Sequence, residues 1–358
     1  MTKLQIRTKQ DCLWDCVSLG EVMLRFDPGD ERIHAARLFK VCEGGGEYNV
    51  ARGLRSCFNQ RTAIVTALVD NPIGRLVEDL IRQGCVDTSN VLWHDFDGVG
   101  RDARNGIYFA ERGFGLRAPA ACSDRGHTAV SQLKPGDVDW HRIFSAEGAR
   151  WFHTGGIFAA LSDSTAQVAK EAMRAARDAG TIVSFDLNFR ASLWETRGGR
   201  LAAQQLNREI APLVDVMFGV FDDESGATES ERGFDEAAWR RAIERNVGEF
   251  PNMRVVATPL RQVRSASVND WSGLLYTDGE LHRAAIYERM EIYDRIGGGD
   301  AFAAGVIYGL LEGKGSRQAI EYAAAHGALT MTTPGDTTRA TLAEVERVMK
   351  DGGASAAR

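Results

Sequence analysis

Arg150-Trp151-Phe152-His153-Thr154-Gly155, then Ser162 to Ala179, then Thr181-Ile182-Val183-Ser184-Phe185-Asp186: an apolar run, a longer mixed stretch and a second apolar run follow one another closely. Val214 to Phe218 and Met253 to Thr258 repeat the apolar run, separated by Gly198 to Ile210 and Phe234 to Glu249. Short runs rich in β-branched and aromatic residues read as strands, and the longer stretches between them as helices. Ser162 fits an N-cap. Strands alternating with helices predict a mostly parallel sheet covered on both faces, an α/β fold.

Toward the N-terminus the same rhythm holds. Cys16 to Met23 reads as a first buried strand and its exit, Arg37 to Val41 as a short strand, Thr62 to Val69 as a strand, and Pro72 to Gln83 as a helix ending near Gly84. Val91 to Ala121 breaks the rhythm. It is rich in glycine and arginine, with Ile107-Tyr108-Phe109 and Phe114 as apolar islands. It reads as short strands covering a site, since its aromatic content argues against disorder. Beyond Thr258, Val263 to Val268, Gly273 to Tyr276 and Leu281 to Ala285 read as antiparallel strands. Three helices close the chain: Ala301–Leu311, Ser316–Met331 and Leu342–Lys350. No internal repeat is evident. The expected organisation is one domain over residues 12–350, with lid segments near 22–42 and 91–121 and a frayed end at 351–358.

A chain of 358 residues exceeds the ~250–300 at which single cores usually stop growing, so an excursion such as a lid is expected. The formal charge of −6 and pI near 5.7 speak against a nucleic-acid surface. Any anionic ligand must therefore meet local positive charge. The six cysteines show no Cys-x-x-Cys pair, which points to free thiols in a reducing, cytoplasmic setting. Met1 to Gln10 lacks an apolar signal core, and no run approaches the ~18–20 apolar residues of a membrane span.

Asp294-Arg295-Ile296-Gly297-Gly298-Gly299-Asp300 precedes a helix-compatible run. Free N–H groups at a helix start form an anion site. Asp300 there is either a plain N-cap or a base held beside a bound phosphate. Glu43-Gly44-Gly45-Gly46-Glu47-Tyr48-Asn49 is a second glycine cluster before a helix. It is either a tight turn or a backbone that lets a polar ligand approach, with Asn49 as donor and acceptor. Asp186-Leu187-Asn188-Phe189-Arg190 follows a strand. All three lie where α/β sheets bind ligands, beyond the carboxyl ends of strands. Arg190 there is either a solvated surface arginine or a fork for a carboxylate or phosphate. Gly309 to Ser316 has the wrong spacing for a Walker A loop and follows a helix. Gly113 to Ala118 lacks the strand and helix of a dinucleotide fingerprint.

Taken together, the three motifs resemble the ribokinase family of PfkB-type carbohydrate kinases. Asp294-x-x-Gly-x-Gly-Asp300 is similar to its C-terminal signature and Gly44-Gly45-Gly46-x-x-Asn49-x-Ala51 to its N-terminal one. Asp186-x-Asn188-x-Arg190, with Leu193-Trp194, is similar to the version in 2-keto-3-deoxygluconate kinases. The resemblance implies a ribokinase-like α/β/α sandwich with a small β-lid, and an enzyme using ATP and Mg²⁺. It implies Asp300 as catalytic base and Gly297, Gly298 and Gly299 as anion hole. Gly45, Gly46, Asn49, Tyr108, Arg112 and Arg190 would hold a sugar acid. Thr258, Ala325, Gly327 and Thr330 would lie along the nucleotide.

Three departures stand out. Gly298 occupies the usual alanine position. Asp222-Asp223-Glu224 stands where an Asn-x-x-Glu motif is usual, leaving Asp223 and Glu224 as the metal-associated pair. Val255 to Leu260 lacks the usual glycines. The resemblance leaves open a kinase of a neutral sugar, a non-catalytic sugar-binding regulator and a homo-oligomer. A nicotinamide-dependent oxidoreductase would need a phosphate fingerprint after the first strand, which Gly20-Glu21-Val22 does not supply.

Overall fold

The computed structural model describes residues 4–221 and 235–352. Its main sheet contains β1 (Cys16–Leu19), β4 (Thr62–Val69), β5 (Val91–His94), β8 (Trp151–Gly155), β9 (Ile182–Asp186), β10 (Val216–Phe218), β11 (Val255–Ser265), β12 (Val268–Thr277), β13 (Glu280–Arg283) and β14 (Tyr287–Glu291). The order is β13-β12-β11-β10-β9-β8-β1-β4-β5, with β14 also on β12. Pairings from β5 through β11 are parallel, and β12 pairs antiparallel with β11, β13 and β14.

Side chains of a strand alternate between faces. Phe152, Val183, Met217 and Val256 thus join one core with the helices Asp163–Asp178 and Glu236–Glu249. Their neighbours Trp151, Ile182, Val216 and Val255 join a second core with the helices Gly298–Leu311 and Ser316–Thr330. Two apolar faces on one sheet make three layers. Ser162 caps as its sequence position predicts: its Oγ accepts from Thr165 N at 3.1 Å, and Thr165 Oγ1 accepts from Ser162 N at 3.0 Å.

A second, four-stranded sheet has the order β3-β2-β6-β7, with β2 (Met23–Asp27), β3 (Lys40–Gly44), β6 (Ile107–Glu111) and β7 (Ala120–Asp124). Here the sequence expectations need correcting. Val91–His94 belongs to the edge of the main sheet beside β4, so the lid excursion starts later, and it continues past Ala121 to Asp124. The strand expected at Arg37–Val41 starts at Lys40 and runs into the glycine cluster. Met253–Thr258 and Val263–Val268 are not separate strands, because β11 continues through Pro259. On β11 the strand β10 pairs with Val255–Ala257 alone, so Pro259 lies where β11 has a single neighbour and a missing N–H is tolerated. Among the described residues no helix is long and apolar enough to cross a membrane.

Candidate active site

The carboxyl ends of β1, β8, β9 and β10 open into a cavity of about 800 Å³, roofed by β2, β6 and β7 of the small sheet. Gly297 caps the helix Gly298–Leu311 with φ 81°, a left-handed conformation suited to glycine. A Cβ there would lie 1.8 Å from the backbone oxygen of Asp336. The first helical bond runs from Ala301 N to Gly297 O. The N–H groups of Gly298, Gly299 and Asp300 therefore have no carbonyl within the helix and form an anion-binding end. Gly45 precedes the helix Gly46–Ser56, and a Cβ on it would lie 1.9 Å from Glu21 O. Only glycine lets these two segments approach.

Asn49, one turn into that helix, donates from Nδ2 to Asp300 Oδ2 at 2.7 Å. Asp300 is half-buried on the cavity wall. Burial pushes its pKa up to about 7; Asp186 and Asp336 push the same way, while the Asn49 hydrogen bond and Arg190 oppose them. Glu47, fully enclosed, is likewise pushed up to about 7 by burial, with Asp300 adding to the effect. Its Oε1 accepts from Phe158 N at 3.3 Å, while its Oε2 has no partner. A carboxyl that titrates near neutrality beside an anion-binding helix end can accept a proton while an anion is bound.

Gly45, Gly46, Asn49, Tyr108, Arg190, Gly297, Gly299 and Asp300 all line this one cavity. Gly298 packs inward against Met331. Tyr108 also donates its hydroxyl to Asp336. Arg112 does not reach the cavity. It lies just past β6, 3.5 Å from Asp27 and over the Tyr293 ring. Arg125, just past β7, lines the cavity instead and pairs with Glu21. The four residues expected along the nucleotide are all buried. Thr258 and Ala325 have no exposed surface, Thr330 is buried with its hydroxyl donated to His326 O, and Gly327 lies under the Trp271 ring. Small residues there serve close packing, and Pro259, Arg261 and Arg295 present the surface. Asp223 and Glu224 lie outside the described residues. Among those described, no group of three or more His, Cys, Asp or Glu side chains is arranged to hold a metal ion. A shallower concavity of about 630 Å³ lies around Arg61, Arg82 and Thr88, but Arg61 there is paired with Asp15 and Arg82 with Glu78.

The description "pfkB family carbohydrate kinase" fits residues 14–342. This chain belongs to the pfkB family of carbohydrate kinases. The kinase is 32% identical, over 95% of its length and 98% of the relative's, to a 2-dehydro-3-deoxygalactonokinase of Haloferax volcanii. It is similar to the crystal structure of 2-dehydro-3-deoxygluconokinase from Thermotoga maritima, with TM-score 0.83 and 34% identity over 93% of this chain and 98% of that one. A putative ribokinase II of E. coli, in complex with ATP and Mg²⁺, shares the fold at TM-score 0.73 and 16% identity, covering 94% and 99% of the two chains. The kinase is thus an ATP-dependent sugar kinase with the ribokinase-like α/β architecture.

Arg125, Glu47, Arg261 and Arg295 escape the sequence reading. Glu47 directly follows the Gly44-Gly45-Gly46 cluster, but nothing in that stretch shows a carboxyl turned into a cleft. Arg125 carries no local signal, since only the pairing of β6 with β7 brings it to the roof.

Proposed function

We propose that this kinase phosphorylates a 2-keto-3-deoxy sugar acid of the 2-keto-3-deoxygluconate type on its terminal hydroxyl, giving the 6-phosphate. The observation that carries this reading is the presence of Arg125 and Arg190 in the same cavity as Asp300 and Asn49. A carboxylate taken from water needs a cationic partner, and arginine offers a planar fork matched to its two oxygens. A neutral sugar needs neither.

In the proposed reaction the hydroxyl oxygen attacks the γ-phosphorus in line, the bond to the β,γ-bridging oxygen breaks, and Asp300 takes the proton. In this reading the amides of Gly298, Gly299 and Asp300, turned out by the Gly297 cap, face the developing charge on the phosphoryl oxygens. Asn49 orients the base, Gly45 and Gly46 let the sugar approach the backbone, and Tyr108 closes the lid side. Asp186 is a cavity-lining carboxylate suited to a phosphate-held Mg²⁺, an ion that commonly takes one or two carboxylates plus substrate oxygens. When bound, that ion neutralises phosphate charge.

The names of the two relatives differ at one sugar carbon, so both epimers belong in the test. Coupled ADP release is measured with 2-keto-3-deoxygluconate, 2-keto-3-deoxygalactonate, fructose and ribose. The expected order places both acids well above both neutral sugars in kcat/KM. A neutral sugar used best overturns the sugar-acid assignment.

A further inference from the structure

Arg25 stands in the middle of Met23-Leu24-Arg25-Phe26-Asp27, and its side chain is 0% exposed. A guanidinium removed from water must be met by opposite charge and well-formed hydrogen bonds. Nη1 donates to Asp336 Oδ1 at 2.7 Å, and Nη2 donates to Asp294 Oδ2 at 2.5 Å and to Asp27 Oδ2 at 3.2 Å. Asp27 is on the same lid strand and takes Arg112 as a second cation. Asp294 and Asp336 are elsewhere in the chain. Each belongs to a loop that shapes the helix end bearing Asp300.

Both loops are fixed through these carboxylates. Asp294 Oδ1 accepts from Ile296 N and its Oδ2 from Gly335 N, each at 3.2 Å. The backbone oxygen of Asp336 sits against Gly297. The other carboxylate oxygen of Asp336 accepts from Tyr108, which pairs directly with Arg25 across β2 and β6. One buried fork therefore holds the lid strand, the loop entering the anion hole and the loop packed behind Gly297.

We propose that Arg25 is a positioning residue for phosphoryl transfer, keeping the anion-hole amides aligned by tying both loops to the lid. It touches neither sugar nor nucleotide in this role. It acts through Asp294, Asp336 and the Gly297 turn. A lysine at this position keeps the charge but cannot span the two loops with a rigid fork. The proposal rests on the kinase activity of the cleft and is independent of which sugar is bound.

The test uses Arg25→Lys and Arg25→Met in the full-length enzyme, with the sugar that wild type turns over fastest. Far-UV circular dichroism and melting temperature establish folding, and kinetics are run well below the lower melting temperature. Displacement of reacting groups by about 1 Å can cost on the order of a hundredfold, so kcat for folded Arg25→Lys should fall ten- to a hundredfold. KM for the sugar should be unchanged, and Arg25→Met, where it folds, should lose more than Arg25→Lys. A residue of purely structural importance lowers the melting temperature and leaves kcat intact below it. Folded Arg25→Lys with wild-type kcat overturns the proposal, whatever the fate of Arg25→Met.

Discussion

Asn49 Nδ2 donates to Asp300 Oδ2 at 2.7 Å, so the two glycine clusters meet in a single hydrogen bond across 251 residues of sequence. The bond opposes burial and two neighbouring aspartates, and the net effect, with Arg190 also opposing, leaves the carboxyl raised to about 7. The bond also leaves Oδ1 on the side of Gly46, where a Cβ would stand 3.7 Å away. A small polar side chain thus orients the proposed base and holds its pKa below where burial would otherwise put it.

Asp300→Asn keeps the shape and an acceptor for Asn49 but loses basicity. Turnover should fall by about 10²–10⁴, the usual worth of general-base catalysis, with ATP affinity nearly unchanged. Single-turnover phosphoryl transfer measures the loss, and a near-normal rate would reduce Asp300 to a helix cap. In the wild type, kcat/KM should decline on the acid side with an apparent pKa near 7, because the base must be ionised. Asn49→Ala removes an interaction that lowers this pKa, so its acid limb should move to higher pH.

Glu47 and Asp300 should make the free enzyme less stable as pH rises. Their folded-state pKa values, both about 7, lie above the ordinary 4.5 and 3.8. Between those limits the folded state binds more protons than the unfolded chain, so stability falls with rising pH and levels off above about 7. Glu43 and Asp336, also raised by burial, act in the same direction. Glu47→Gln keeps an acceptor for Phe158 N without the charge. Its melting temperature relative to wild type should rise from pH ~5 to pH ~8. A difference that stays constant with pH would mean that Glu47 is not held neutral by its surroundings.

The three glycines before Asp300 should respond differently to alanine. Gly297→Ala places a methyl 1.8 Å from a backbone oxygen at positive φ, so the variant should be destabilised by several kcal/mol or fail to fold. Gly298→Ala meets only the flexible Met331 side chain, at 2.9 Å, and should be nearly neutral in melting temperature and kcat. Gly299→Ala meets nothing within 4 Å and should fold normally. Its methyl lies on a residue lining the cavity, so its kcat should fall. Melting curves and steady-state kinetics on the three variants give the ranking, and an active Gly297→Ala would contradict it.

Arg190→Ala should lower kcat/KM for a sugar acid by roughly ten- to a hundredfold, given ~1.5–3 kcal/mol for a hydrogen bond to a charged group. Use of a neutral sugar should change far less, and Arg190→Lys should recover part of the loss. Arg125→Ala should follow the same pattern. Arg112→Ala, whose side chain faces Asp27 and Tyr293, should leave substrate preference unchanged. An equal loss on all sugars with Arg190→Ala would place that arginine on the nucleotide.

The sequence by itself determined the layered α/β architecture, because strand and helix periods, caps and glycine clusters are local properties. It also determined the three segments at the strand mouths and Asp300 at a helix start. Tertiary structure decided which side chains share the cleft. Arg112 and Arg125 look alike in sequence, yet the β6–β7 pairing brings only Arg125 to the cavity. Val91–His94 reads like lid sequence, and only its pairing with β4 assigns it to the main sheet. Thr258, Ala325 and Thr330 stand near family motifs but are buried by packing with no local signature. Arg25 is the clearest case. An arginine in a short strand predicts a solvated face, and the distant carboxylates of Asp294 and Asp336, with Asp27 on its own strand, meet its charge in the interior.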